Sequence, residues 1–224
     1  MSKIVHPFAM RLGIIKDWRH RWFATGPVYQ QNLKADILLR EYLLKSLRGM
    51  YIGALEIERN AKTLRVILKT SRPGVLIGRS GEGSVKLKNS IQKFLEKNNL
   101  ALPEIKLDIE EIRNPEANAA IVAYMVAEGL EKRMAFRRVL KQTIEKVMAN
   151  RDVKGVRIQL SGMLGGGSMS RTEELKKGRV PLQTLRSDID YHRERANLPL
   201  GVLGIKVWIY KGEVFADAAS KKDK

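Results

Sequence analysis

Between residues 33 and 109 the apolar side chains change their spacing in a fixed order, and this order restricts the fold more than any other feature. Leu33, Ile37, Leu44 and Leu47 recur at helical intervals, with Leu38, Leu39 and Leu43 widening the face, which predicts a helix from Asn32 that Gly49 closes. Leu55 and Ile57 then alternate with Glu56 and Glu58, and Leu64, Val66 and Leu68 alternate with Arg65, Ile67 and Lys69. The polar stretch Arg59-Asn60-Ala61-Lys62 between these runs predicts a β-hairpin. Ser71-Arg72-Pro73-Gly74 breaks the sheet, and a short apolar stretch, Val75-Leu76-Ile77, leads into Gly78-Arg79-Ser80-Gly81. A longer helix carries Leu87, Ile91, Phe94 and Leu95, and Ile105, Leu107 and Ile109 alternate as a third strand. Helix, strand, strand, short helix, turn, helix, strand is one compact α+β unit over residues 33–113.

Asn114-Pro115 marks the boundary to a second unit, residues 114–212. Helical spacing covers roughly residues 116–130 and 133–150, and strand-like alternation falls at Val156, Ile158 and Leu160 and again at Ile205, Val207 and Ile209. A glycine-rich turn (Gly162, then Gly165-Gly166-Gly167) and a basic stretch lie between, so this unit reads as two helices on a mostly antiparallel sheet. Residues 1–32 hold Arg11, Lys16, Trp18, Arg19, Arg21, Trp22, Phe23 and Tyr29 without periodicity, as an extension that a partner or a domain surface orders. Residues 213–224 read as a short, polar, disordered tail.

Charge supplies the first functional constraint. Forty-two Lys and Arg against 24 Asp and Glu leave a net +18 over 224 residues, which favours a polyanionic partner, nucleic acid before an acidic membrane face. The chain has no cysteine, which excludes disulfide frameworks, thiolate zinc sites, iron–sulfur clusters and cysteine nucleophiles. Its longest apolar run, residues 119–127, is far short of the ~20 residues a membrane span requires. The N-terminus lacks the apolar core of a signal peptide, so a soluble, cytoplasmic protein without a membrane partner is expected.

Three features could carry chemistry. A Gly-x-x-Gly turn between helices lets a sugar-phosphate backbone approach closely, and the following helix offers free N–H groups and the positive end of its dipole. A KH module clamps about four nucleotides in this way. The tetrapeptide occurs three times, but only Gly78–Gly81 sits between two helices, with Arg72 and Arg79 close by and Lys86 and Lys88 in the helix that follows. The alternative there is a plain helix corner whose glycines relieve backbone strain. The second feature is the helix from Arg133: Phe136, Val139, Leu140, Thr143 and Val147 form its buried stripe, while Arg133, Arg137 and Lys141 stack on another face beside Arg138. No acid stands within that row, and each arginine can grip a phosphate bidentately. Third, Arg171, Lys176, Lys177, Arg179, Arg186, Arg193 and Arg195 crowd the stretch 168–195, with Asp188 and Asp190 on one side of a strand. Those carboxylates could hold magnesium, or pair with neighbouring arginines and fix the local fold. There is no phosphate-binding Gly-x-x-x-x-Gly-Lys loop, no paired histidines and no nucleophile elbow. No cofactor is expected.

Several longer stretches resemble a known family. Val5-His6-Pro7 with Arg11-Leu12-Gly13-Ile14, the turn Pro73-Gly74-Val75-Leu76-Ile77-Gly78-Arg79-Ser80-Gly81-Glu82, and Phe136-Arg137-Arg138 are similar to small-subunit ribosomal protein three of the bacterial type. So are Gly155-Val156-Arg157-Ile158-Gln159-Leu160-Ser161-Gly162, Gly178-Arg179-Val180-Pro181-Leu182, Thr184-Leu185-Arg186-Ser187-Asp188-Ile189-Asp190-Tyr191 and Gly204-Ile205-Lys206-Val207-Trp208-Ile209. The resemblance implies an N-terminal extension, a type II KH domain and a C-terminal α/β domain in the head of the small subunit. It implies binding to small-subunit rRNA, neighbouring small-subunit proteins as partners, and a place at the mRNA entry channel, where basic helix residues matching Arg137, Arg138 and Lys141 assist unwinding. The chain departs from the pattern at Ser80, where a basic residue or glycine is common, at Met163, where an arginine is usual, at Glu174-Leu175, and at Asn197-Leu198-Pro199-Leu200. The rival readings are a DNA-repair nuclease or lyase, with Lys176-Lys177 as a Schiff-base candidate, and a free-standing KH-type RNA chaperone.

Overall fold

Pro27 lies in the first turn of the first long helix, where its missing N–H satisfies no bond in any case and its fixed φ suits the helical backbone. Helix α1 therefore runs Gly26–Ser46, beginning earlier than the apolar spacing predicts. The structure, a computed structural model, describes residues 5–60, 62–98, 100, 104–199 and 201–215. They fall into two units: Trp18–Arg113, and the described residues up to Asp17 together with those from Asn114 onward.

The first unit follows the expected order. After β1 (His20–Arg21) and α1 come β2 (Ile52–Arg59), β3 (Thr63–Thr70), α2 (Pro73–Ile77), α3 (Glu82–Lys97) and β4 (Glu104–Glu111). The sheet order is β1-β2-β3-β4. Strands β2 and β3 pair antiparallel, whereas β3 and β4 are parallel, which requires the crossover that α2 and α3 supply. One face of this sheet buries Leu55, Ile57, Leu64, Val66, Leu68 and Ile105 with Leu39 and Leu43 of α1 and Ile91 and Leu95 of α3. Tyr42 stacks on Phe94 with ring centroids 4.3 Å apart.

The buried stripe of α1 is rotated from the predicted one. Ala35, Asp36, Leu39 and Leu43 are buried, while Leu33 and Ile37 are exposed. Asp36 is drawn inward by partners distant in sequence: its carboxylate accepts from Trp22 Nε1 (2.7 Å) and from Arg59 Nη2 (2.6 Å). The outer face of the sheet holds a charge lattice. Arg21 bonds Glu56 and Glu58, Arg65 bonds Glu58 and Asp108, and Lys69 pairs with Glu56 and Glu110. Several of the chain's acids are spent here, so its cationic excess falls on other surfaces.

The second unit stacks α4 (Ala119–Glu131) and α5 (Phe136–Ala149) on an antiparallel sheet of β5 (Gly155–Gly162), β6 (Arg171–Gly178), β7 (Ser187–Leu198) and β8 (Gly201–Glu213), in the order β6-β5-β8-β7. Val126, Leu140, Ile144, Ile158, Ile205 and Val207 are central to the core between helices and sheet. The other face of β7 and β8 carries Ile189, Trp208 and Tyr210, packed with Val180, Leu182 and Tyr191.

The stretch 1–32 is not one extension. Its first described part docks on the second unit through Arg11, which is fully buried. The Arg11 guanidinium donates to the carbonyls of Ser187 (2.6 Å), Pro7 (2.9 Å), Leu182 (3.0 Å) and Thr184 (2.9 Å). His6 meets Tyr191 edge-on, and Lys16 pairs with Asp188 at 2.6 Å. From Trp18 onward the chain belongs to the first unit, where β1 pairs parallel with β2 and residues from Gly26 are already helical. The tail boundary at 213 also shifts. Glu213 closes β8, Val214 N–H bonds the Arg186 carbonyl at 2.9 Å, and the Arg186 guanidinium lies over the Phe215 ring. Residues 216–224, the rest of the expected disordered tail, lie outside the described residues.

Candidate nucleic-acid interface

The Gly-x-x-Gly turn joins α2 to α3 through a 3-10 turn, Arg79–Gly81. Three of its residues take positive φ: Gly78 at 69°, Ser80 at 51° and Gly81 at 80°. Ser80 therefore occupies a conformation that favours glycine, costing roughly 1–2 kcal/mol for a residue with a Cβ. A neighbouring glycine outside the tetrapeptide, Gly83, is the tighter constraint. A Cβ on Gly83 would sit 2.4 Å from the Leu76 carbonyl oxygen and 2.9 Å from that of Ile77, so the first turn of α3 can lie on the end of α2 only without a side chain there. The signal was the second glycine in Gly81-Glu82-Gly83.

Arg79 and Ser80 are exposed on this turn, and the free N–H groups of the first turn of α3 follow directly. Arg72 precedes α2, its guanidinium over the Tyr51 ring at 4.6 Å. Lys86 and Lys88 do not share a face: two positions apart, they diverge by roughly 200° around α3. Lys86 pairs with Glu82 at 3.2 Å, both exposed, so part of its charge is answered locally. Val75, Ile77 and Val85 stand exposed beside the turn, an apolar strip of the kind against which unstacked bases lie.

In the second unit the basic row is shorter than its spacing suggests. Helix α5 begins at Phe136, so Arg133 is not on it. Arg133, with φ 60°, instead ends α4: its N–H bonds the Leu130 carbonyl at 2.9 Å and that of Met134 bonds Gly129 at 3.1 Å. This paired closure is one that glycine usually makes, and an arginine there hid where the second helix begins. Arg137, Arg138 and Lys141 are exposed on α5. An acid does approach the row, from another element: Glu173 of β6 lies 3.7 Å from Arg137 and 3.4 Å from Arg171. Arg137 and Arg171 both lie over the Phe136 ring, each 5.5 Å from its centroid. Among the described residues Arg138 and Lys141 have no such ion pair.

The remaining candidates lie at the sheet edge. Strand β6 is outermost, and Lys176 and Lys177 are exposed on its opposite faces. Neither is desolvated, which removes one of the two ways a Schiff-base lysine is activated, the other being a neighbouring cation. Arg179 is exposed just beyond β6, and its carbonyl oxygen would lie 1.9 Å from a Cβ on Gly155, which fixes glycine at that crossing. The two aspartates are engaged by the protein itself. Asp188 pairs with Lys16, and Asp190 Oδ2 accepts the Ala119 N–H at 2.9 Å at the start of α4. Among the described residues no cluster of three or more acidic or histidine side chains could hold a metal, and no helix is long and apolar enough to cross a membrane.

A KH-type arrangement around a strained Gly-x-x-Gly turn, followed by an α/β unit with an exposed basic helix, defines an RNA-binding protein of the KH class. Residues 38–117 match the KH domain family, and residues 126–209 match the family described as ribosomal protein S3, C-terminal domain. The small ribosomal subunit protein uS3 of Stutzerimonas stutzeri is 44% identical over 214 residues, 96% of this chain and 91% of that protein. That of Clostridium botulinum is 42% identical over 96% of this chain and 93% of that protein, and that of Pseudomonas fluorescens 44% over 96% and 91%. The chain belongs to the uS3 family of small ribosomal subunit proteins.

Proposed function

We propose that this protein is a structural, non-catalytic constituent of the cytoplasmic small ribosomal subunit. It binds small-subunit rRNA and neighbouring subunit proteins, and it lines the mRNA entry channel in the subunit head, where it assists unwinding of incoming message. The observation that carries the channel reading is the set Arg137, Arg138 and Lys141, three exposed cations on one regular helix, two of them without an ion pair among the described residues. Arg79, Ser80 and the N–H groups at the start of α3 serve as a second phosphate cradle, with Arg72, Lys86 and Lys88 around it. Arg133, Arg171, Lys176, Lys177 and Arg179 add attraction at the edge of the second unit.

The test is a particle carrying Arg137, Arg138 and Lys141 all changed to Ala. Subunit assembly on a magnesium-containing sucrose gradient should be unchanged, and translation through a stable mRNA hairpin should slow relative to an unstructured message. Equal rates on both messages would end the unwinding role. A wild-type protein that stays at the top of the gradient would end the ribosomal one.

A further inference from the structure

One end of the second unit opens into a cavity of about 640 Å³, and apart from Arg133 the RNA reading uses none of its lining residues. Three connections build it: the α4–α5 junction gives Met134 and Phe136, the β5–β6 turn gives Met163, and the β7–β8 hairpin gives Leu198. Leu203 of β8 closes it. Met163 and Leu198, both singled out in the sequence as departures from the family pattern, thus meet in space. The glycines keep the cavity open. A Cβ on Gly201 would stand 3.1 Å from the Met163 methyl, and one on Gly165 would stand 3.5 Å from the Phe136 ring.

The walls select the occupant. Arg133 is the one charged side chain among the described lining residues, and the only acceptors among the lining side chains are the weak thioether sulfurs of Met134 and Met163. A nucleobase pushed inside would lose water from its polar edges with little to replace it, at a cost of the order of several kcal/mol. An aliphatic or aromatic side chain of a polypeptide suffers no such loss, and thioethers such as Met134 and Met163 adapt to varied apolar shapes. Arg133 is in the lining itself, and Arg137 and Arg171 lie over the ring of the wall residue Phe136 with one acid, Glu173, near both, so the charge next to these walls is net cationic. The complementary partner carries carboxylates beside an apolar anchor. We propose that this cavity is a docking site for an acidic polypeptide segment that inserts one large apolar side chain.

The full-length protein, labelled at its methionine methyl groups, tests this by NMR titration with a short peptide bearing Phe-Leu at its centre and Asp and Glu on either side. The Met134 and Met163 methyl signals should shift saturably, that of Met50 in the first unit should not, and replacing Phe-Leu by Ala-Ala should weaken binding at least tenfold. Met163→Glu should weaken the Phe-Leu peptide by a similar factor, and Met134→Glu serves if that variant does not fold. Equal binding of the two peptides would reduce the site to plain charge attraction and overturn the proposal. So would an absence of methyl shifts at millimolar peptide. Shifts produced by oligouridine and not by peptide would assign the cavity to RNA instead.

Discussion

The two units offer cations to an anion by opposite means. In the first, the turn at Gly78–Gly81 relies on backbone: three positive φ values and the close packing of Gly83 on α2 set the shape that the proposed phosphate contact depends on. In the second, α5 is an ordinary helix, and everything it offers sits at the ends of Arg137, Arg138 and Lys141. Shape-based recognition is destroyed by adding atoms, and charge-based recognition by removing them. The anchors of the N-terminal stretch differ as well. Arg11 in the second unit is held by four neutral carbonyls, whereas Asp36 in the first unit is held by an ion pair and two neighbouring rings.

The largest effect should come from breaking the Asp36 anchor. The Asp36 and Arg59 side chains are 4% and 8% exposed, so Asp36→Ala strands a buried guanidinium and should cost on the order of 3–5 kcal/mol. Acid should do the same by titration. Burial alone would raise the Asp36 carboxyl, but the nearby His20 ring, the bonded and charged Arg59 and the Trp22 N–H outweigh it and hold it below the ordinary carboxylate value. A carboxyl depressed on folding stabilises above its unfolded pKa, near 3.9, and that contribution is lost as pH falls through the lower folded value. Carbonyls do not titrate, burial of the Arg11 guanidinium lowers its pKa from a value far above this range, and the Lys16–Asp188 pair of the same stretch is partly exposed, so its loss costs little. Hydrogen exchange below about pH 4 should therefore open α1 and β1 before residues 5–17. Simultaneous opening would mean that the two anchors do not differ in this way.

Next in size is Gly83→Val. Its side chain must force α2 and α3 apart, at a cost of roughly 1–3 kcal/mol. RNA affinity measured on the variant should fall sharply although no charge has changed. Retained affinity would show that the turn does not recognise by shape. The Arg137, Arg138 and Lys141 triple change to Ala is the mirror case. Its unfolding midpoint should hold, since substitutions at such exposed sites usually stay within about 0.5 kcal/mol. The slope of log affinity for single-stranded RNA against log salt should flatten by roughly 2, three phosphate contacts at about 0.7 each. An unchanged slope would remove these side chains from the interface.

What could be read from sequence follows the range of the interactions. The succession of helix and strand from residue 33 was legible because burial imposes its period on neighbouring residues, and the structure reproduces that order through β4. The cations of α5 were legible for the same reason, as a regular helix displays its spacing. Asp36, Arg11 and Glu173 were not, because each is placed by partners on other elements. Arg11 ends on Ser187, and Glu173 reaches Arg137 from β6. The inward stripe of α1 likewise holds Asp36, paired with Arg59, together with Ala35, Leu39 and Leu43, and not Leu33 or Ile37.

The smallest expected effects sharpen the comparison most, because they separate stability from binding. Ser80 and Arg133 both hold left-handed conformations that glycine would take without strain, at φ 51° and 60°. Changing either to Gly removes roughly 1–2 kcal/mol of backbone strain, less up to about 1 kcal/mol for glycine's freedom in the unfolded chain. Each variant should thus unfold at a slightly higher temperature. Their RNA affinities should part company. Ser80→Gly keeps the N–H groups and the shape of its turn, so binding should hold or improve. Arg133→Gly completes the α4 closure but deletes a guanidinium, so binding should weaken while the protein becomes more stable. An arginine kept at a position where glycine would be more stable is then accounted for by the charge it carries. Loss of affinity in both variants, or in neither, would erase the distinction between a surface that binds by shape and one that binds by charge.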